Sequence, residues 1–279
     1  MIKQDVLPKQ VLNVFPKEAI EEIVQLRMRI HQQPELAFEE FKTQETLKTF
    51  CEALNPKECT TIAQTGLLVR IAGENPNLPP VAVRGDIDAL PIVEDTGLEY
   101  QSEKKGVMHA CGHDVHAAWA AATVYLLSKK PAKRDVIVIF QPAEEQSKGA
   151  KAIMQTGKLA EVEMIFGGHV DRNYAIGEVV VHDGPIAANS DHLTVTINGK
   201  SAHAARPHEG NNPILAAADF IKGIPLILTN KINPSENGVI TVSAINGGTI
   251  HNIIADQVVI QGSIRSMNAE TQSNIHQEI

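Results

Sequence analysis

From Lys17 to His31 apolar residues recur at helical spacing (Ile20, Ile23, Val24, Leu26, Ile30), and a second helical pattern runs from Glu39 to Leu54. Both patterns are amphipathic, which predicts two helices on the outside of a sheet. Short β-rich runs bounded by turn residues follow, at Gly66–Gly73, Pro80–Arg84, Asp135–Phe140 and Met164–Phe166. Between the second and third of these, Val115–Leu127 is rich in alanine and predicts a helix. Nearly continuous apolar strands alternating with helices predict a mostly parallel sheet covered on both faces, so residues 1–185 are expected to form an α/β domain.

After about Pro185 the pattern changes to the strand period. His192–Gly199 alternates, Pro213 opens a helix reaching about Leu228, and strands are predicted at Gly238–Ala244 and Gln257–Ser263. Asn268, with Glu270 close behind, marks the N-cap of a last helix. The order β-α-β-β-α is five-sixths of a ferredoxin-like split βαβ unit, with the closing strand absent. Residues 186–279 are therefore expected to form a smaller α+β domain, an antiparallel sheet with both helices on one face.

Composition narrows the class of protein. With 43% hydrophobic and 21% charged residues, 279 positions suffice for two soluble globular domains. Lys plus Arg number 25 against 33 Asp plus Glu, and neither sign forms a long run, so there is no basic footprint for nucleic acid. A small molecule or peptide is the expected partner. The odd set Cys51, Cys59 and Cys111, and an N-terminus (MIKQDVLPKQ) without the apolar core of a signal peptide, point to a cytoplasmic protein without disulfides. Apolar stretches are expected to fall well below the ~20 residues of a membrane span, so no membrane partner is expected.

Three predicted core strands run into ligand-type side chains: Arg84 into Asp86 and Asp88, Phe140 into Glu144 and Glu145, and Phe166 into His169. Sites in open α/β sheets form beyond the carboxyl ends of the strands, so these residues can converge. The loop His109-Ala-Cys-Gly-His-Asp114 opens the alanine-rich helix and adds a thiol and imidazoles. Thiolate, imidazole and carboxylate together suit zinc or a similar divalent metal. Each residue also has a plainer reading taken singly. Asp114 could cap its helix, Glu144 and Glu145 could be an acidic helix start, Asp86 and Asp88 could be loop-formers, and Cys111 could be a small buried hydrophobe.

Six motifs then appear in order: Arg84-Gly-Asp-Ile-Asp-Ala-Leu-Pro91, Met108-His-Ala-Cys-Gly-His-Asp114, Gln141-Pro-Ala-Glu-Glu145, Gly167-Gly-His-Val170, Ser201-Ala-His-Ala-Ala205 and Gly247-Gly-Thr-Ile-His-Asn252. The chain resembles the aminoacylase/carboxypeptidase-like amidohydrolases of the dinuclear zinc metallopeptidases, the group with hippurate hydrolases and plant auxin-conjugate hydrolases. The resemblance implies hydrolysis of the amide bond of N-acyl amino acids or small peptides. It implies two divalent metal ions, zinc or else manganese, cobalt or nickel, with Cys111 as bridging ligand and His113, Glu145 and His169 completing most of the shell. Glu144 would stay off the metal and act as the base, and Asp86, Asp88 and Asp114 would stand behind the ligands. In the smaller domain, an inserted lid and homodimerisation unit by the same resemblance, His203 would stabilise the oxyanion, while Asn252 and Arg265 would hold the substrate carboxylate. Two departures stand out. Val170-Asp-Arg-Asn173 lacks the family's proline, and nothing after Ile279 supplies its last histidine ligand, a role for which His251 and His276 are in the wrong motif context. The alternative expectation is a truncated, inactive metal-binding or oligomerising remnant. A nucleotide enzyme on the same fold would need a Gly-rich phosphate loop that the chain lacks.

Overall fold

The computed structural model describes residues 13–181 and 183–279. The N-terminal stretch whose lack of an apolar core bears on targeting lies outside the described residues. The chain divides into two compact units between Ile176 and Gly177. This division precedes the change of pattern at Pro185, inside a stretch that has no helix or strand among its described residues from Gly168 to Ala188.

The first unit is built on a five-stranded sheet of β1 (Glu58–Ile62), β2 (Gly66–Ile71), β3 (Val81–Asp86), β4 (Val136–Gln141) and β5 (Met164–Gly167), in the order β1-β2-β4-β3-β5. Strands β4, β3 and β5 run parallel, with Val81 opposite both Val136 and Met164. These are the strands that carry the chemistry. Strand β2 joins β4 antiparallel, and β1 returns on β2 through a tight turn in which Ala63 and Gln64 are left-handed.

Helices α1 (Lys17–Gln32), α2 (Phe41–Glu52) and α3 (His113–Lys129) cover one face. Leu26, Ile30, Leu47, Phe50, Ala121 and Val124 pack there against Val69, Val138 and Phe140. The opposite side chains of the same strands, Leu68, Ile137 and Ile139, face Ile153 of the short helix α4 (Gly149–Gln155). Strand β4 is buried along its whole length, because both faces are covered. Strand β5 corrects the sequence reading. It was expected to be a core strand, but it is the sheet edge, and Met164, Ile165 and Phe166 are each more than half exposed. Strand β1 and helix α4 escape the sequence reading, the first because it is a half-exposed edge and the second because seven residues are too few to show a period.

The second unit contains β6 (Asn189–Asn198), α5 (Pro213–Lys231), β7 (Gly238–Gly247), β8 (Gln257–Ser266) and α6 (Ala269–Glu278), with an antiparallel sheet in the order β6-β8-β7. Leu193, Ile240 and Ile264 pack against Ile224 of α5 and Ile275 of α6, so the two helices share a face. Asn268 caps α6 by accepting from Thr271 N at 2.7 Å, and Asn212 with Pro213 starts α5. Helix α5 corrects the expectation about apolar stretches. Its 19 residues, with a mean hydropathy of 1.2, are long and apolar enough by length and composition to cross a membrane. Ala217 and Ile224 are buried on the sheet, however, and the helix carries Asp219 and Lys222.

Candidate active site

The loop between residues 109 and 113 enters α3 through Gly112, its N-cap, at φ 92°. A Cβ there would stand 2.5 Å from Val170 Cγ2, so only glycine lets this loop meet the one after β5. The contact brings Cys111 Sγ to 3.3 Å from His169 Nε2. His169 Nδ1 lies 2.7 Å from the Val170 carbonyl, which accepts a hydrogen bond from Nδ1–H and leaves Nε2 as the lone-pair nitrogen facing the thiol.

His113 occupies the first turn of α3 and is 1% exposed. Its Nδ1 lies 2.9 Å from the Asp88 carbonyl and 3.2 Å from Asp88 Oδ1, so the proton belongs on that nitrogen. Its Nε2 is buried and, among the described residues, has no hydrogen-bond partner. Carboxylate oxygens surround it, at 3.7 Å (Asp86), 3.8 Å (Glu145) and 3.9 Å (Glu144). A buried polar atom left unpaired costs about 1–3 kcal/mol, and a cation is the partner that suits both the lone pair and the carboxylates. Two triads share this imidazole, Cys111–His113–His169 and His113–Glu144–Glu145, and within each the donor atoms lie within 4.8 Å of one another. The residues present therefore fit a divalent metal.

A third grouping, Asp86–His113–His116, includes a histidine that the sequence reading missed. His116 Nδ1 donates to Asp86 Oδ1 at 2.6 Å and Nε2 accepts from Val170 N at 3.0 Å. With both nitrogens engaged it offers no lone pair, and it holds the His169 loop instead. Its place one turn after His113 was the available signal. Burial pushes the Asp86 carboxyl up, but His116, His113 and Arg84 hold it below the usual carboxylate range. Asp88 works from the other side, its Oδ2 accepting from Glu145 N at 3.0 Å. Asp114 is not the helix cap. Gly112 is, and Asp114 accepts from Arg27 Nε at 2.7 Å and pairs with His31 Nδ1 at 3.0 Å. Although burial opposes it, that pairing pulls the Asp114 carboxyl down to about 2.

The loop after β4 reaches Glu144 through Ala143, whose φ of 50° is left-handed and costs about 1–2 kcal/mol in a residue with a Cβ. The turn is held from both ends. Ala143 N donates to Glu40 Oε1 at 2.9 Å, and its carbonyl accepts from Lys148 N and Gly149 N at 3.3 and 3.1 Å. A Cβ on Gly149 would fall 1.6 Å from the Pro142 carbonyl, so this turn too depends on glycine. The Glu145 side chain is 24% exposed and that of Glu144 41%. Burial and then Glu145, Glu144 and Asp86 push the Cys111 thiol up to about 12. Burial, with Glu144 and Asp88, also raises the Glu145 carboxyl. A cation held there would displace the thiol proton to solvent and take the thiolate as its ligand.

In the second unit, His203 bridges to Ile253, and its Nδ1 accepts from Ala205 N at 3.1 Å. Ala204 N donates to the Asn252 carbonyl at 3.0 Å, so His203 and Asn252 sit on adjoining segments. Arg265 is exposed on β8, in register with Ser190 and Val239.

A thiol, imidazoles and carboxylates gathered at the carboxyl ends of parallel strands make a donor set of the kind that holds divalent metal ions. Residues 82–267 match peptidase family M20/M25/M40, and the chain belongs to that family. It is 39% identical over 258 residues to the N-acetyl-L-cysteine deacetylase of Bacillus subtilis, a match covering 92% of this chain and 62% of that protein. It is also 39% identical over 256 residues to the N-acetyldiaminopimelate deacetylase of Listeria monocytogenes, covering 90% of this chain and 68% of the relative. A dinuclear metal-binding peptidase of the M20 family from Bacillus subtilis superposes with a TM-score of 0.80 at 33% identity, over 92% of this chain and 67% of that one. The chain thus spans less than two thirds of the first of these relatives.

Proposed function

We propose that the chain is a metal-dependent amidohydrolase acting on N-acyl amino acids, with two divalent metal ions held by Cys111, His113, Glu145 and His169. The observation that carries this reading is the buried, unpartnered Nε2 of His113, which faces the thiol–imidazole pair on one side and the two glutamates on the other. The ions supply Lewis-acid chemistry, lowering the pKa of water and polarising a carbonyl. Asp88 fixes the His113 tautomer and the Glu145 backbone together, so one carboxylate aligns two ligands. Glu144, the more exposed of the pair, takes a proton from the attacking water and returns it to the leaving amine. His203 donates to the carbonyl oxygen as charge develops, and Asn252 and Arg265 bind the substrate carboxylate; family membership supports these roles.

An acetylated amino acid is the first substrate to test, since both curated relatives are deacetylases of such compounds. The place of β6 and β7 as the edge strands of their sheet supports a homodimer formed through residues 186–279. Three free cysteines support a cytoplasmic setting. The test is hydrolysis of acetyl-, benzoyl- and indolylacetyl-amino acids with added zinc, manganese or cobalt. Turnover that requires metal supports the proposal. Metal binding without turnover of any of them would leave a metal-binding protein that is no hydrolase of this class.

A further inference from the structure

One segment, residues 31–40, running from the last turn of α1 to the start of α2, touches three of the four loops around the candidate site, all but the one that carries His169, and none of its residues belongs to that site. His31 Nδ1 pairs with Asp114, the neighbour of His113, at 3.0 Å. The Glu35 carbonyl accepts from the backbone of Ala89, the neighbour of Asp88, at 2.8 Å. Glu40 Oε1 accepts from Ala143 N, the neighbour of Glu144, at 2.9 Å. Each anchor is itself held. His31 Nε2 pairs with Glu94 at 3.1 Å, Glu35 Oε2 accepts from the Thr43 backbone and hydroxyl at 2.9 and 3.0 Å, and Glu40 Oε2 accepts from the Thr65 hydroxyl. Glu40 is fully buried, and among the described residues no cation pairs with it. A buried carboxylate without a cation, aimed at the amide of a left-handed residue, is a costly feature for stability alone. Its effect is to fix the turn that presents Glu144 and Glu145.

We infer that residues 31–40 form a positioning bracket for the metal-site loops, and that Glu40 is the positioning residue that sets the Glu144–Glu145 pair by fixing the backbone of Ala143. This inference rests on the metal-site reading above. In Glu40→Gln the shape is kept but the charge is lost, and with one acceptor oxygen in place of two the side chain no longer accepts from both Ala143 N and the Thr65 hydroxyl. Misplacing groups that align metal ligands commonly weakens metal affinity or activity about 10–100-fold.

The experiment is a cobalt(II) titration followed by visible absorption, alongside thermal unfolding, on the 279-residue chain. Glu40→Gln is expected to bind cobalt at least tenfold more weakly and to change the absorption band. Thr65→Val should shift affinity in the same direction by less, and it decides the matter if Glu40→Gln does not fold. Val124→Ala, in the core on α3 and outside the bracket, measures what loss of stability alone does; its affinity should stay within about twofold of the parent. Glu40→Gln, or Thr65→Val in its place, binding cobalt as tightly as Val124→Ala would overturn the inference. His113→Ala separates the two readings: if it binds cobalt like the parent, the metal-site reading itself fails, whereas a loss there with Glu40→Gln unchanged removes only the bracket.

Discussion

The two units differ in what stands behind their candidate site residues. In the first, Cys111 and Glu144 are half-buried and His169 is exposed, but Asp86, Asp88, His113, Asp114, His116 and Glu40 are all at most 1% exposed, and each is engaged by a named partner. In the second, His203, Asn252 and Arg265 are exposed, and among the described residues the buried polar side chains are Ser266 and Thr271. Burying polar groups is costly unless they are paired, so the first unit fixes its groups rigidly and makes each one matter to the others. Exposed groups carry no such constraint. Substitutions in the two units should therefore differ in kind as well as size.

The largest effect is expected from Glu144→Gln, with kcat falling about 10²–10⁴-fold while metal content, read by elemental analysis, stays near the parent value. Loss of metal along with activity would make Glu144 a ligand and exchange its role with Glu145. Next comes Asp88→Asn, which disturbs His113 and the Glu145 backbone at once and should weaken cobalt binding about 10–100-fold. An unchanged affinity would show that the burial of this carboxylate does not serve the site.

The Cys111 thiol is pushed up to about 12, so below that pH a metal ion must displace its proton. Affinity should therefore rise with pH, by about tenfold per unit for each proton released, and Cys111→Ser should lower the slope of log affinity against pH by about one. Equal slopes in parent and variant would place the thiol outside the metal shell.

A smaller effect concerns acid stability. The Asp114 carboxyl is pulled from 3.8 to about 2, so its stabilisation is present above the unfolded value and is lost as pH falls through the folded one. That amounts to about 2 kcal/mol, lost between roughly pH 4 and pH 2. His31 is raised by its hydrogen bond to Asp114 against the effect of burial. Its share is therefore present below its unfolded value and lost as pH rises through the folded one. Urea unfolding of parent and Asp114→Asn at neutral pH and near pH 2 should show a gap that closes on acidification; a gap independent of pH would assign the loss to packing. The smallest effects belong to the second unit. Arg265→Ala and Asn252→Ala should change stability by no more than about 0.5 kcal/mol and leave cobalt affinity alone while raising KM. Either variant unfolding readily would erase the contrast between the units.

By itself the sequence determined the elements with a clear period and the identity of the chemistry. The helix over Lys17–Gln32, the strands ending at Asp86, Gln141 and Gly167, and the Asn268 cap were all legible, since periodicity and capping are local. The thiol, imidazole and carboxylate types at strand ends announced a metal-type site for the same reason. Tertiary structure alone decided which of those polar residues face one another. Asp114 turns to Arg27 and His31 instead of capping its helix, His116 is used up between Asp86 and Val170, and Glu40 reaches the turn at Ala143 more than a hundred residues away. It also decided that the apolar run Met164–Gly167 lies uncovered at an edge. An element's own pattern records that it has a face to cover, while the partner that covers it, or that pairs with its buried carboxylate, comes from distant chain brought close only by folding.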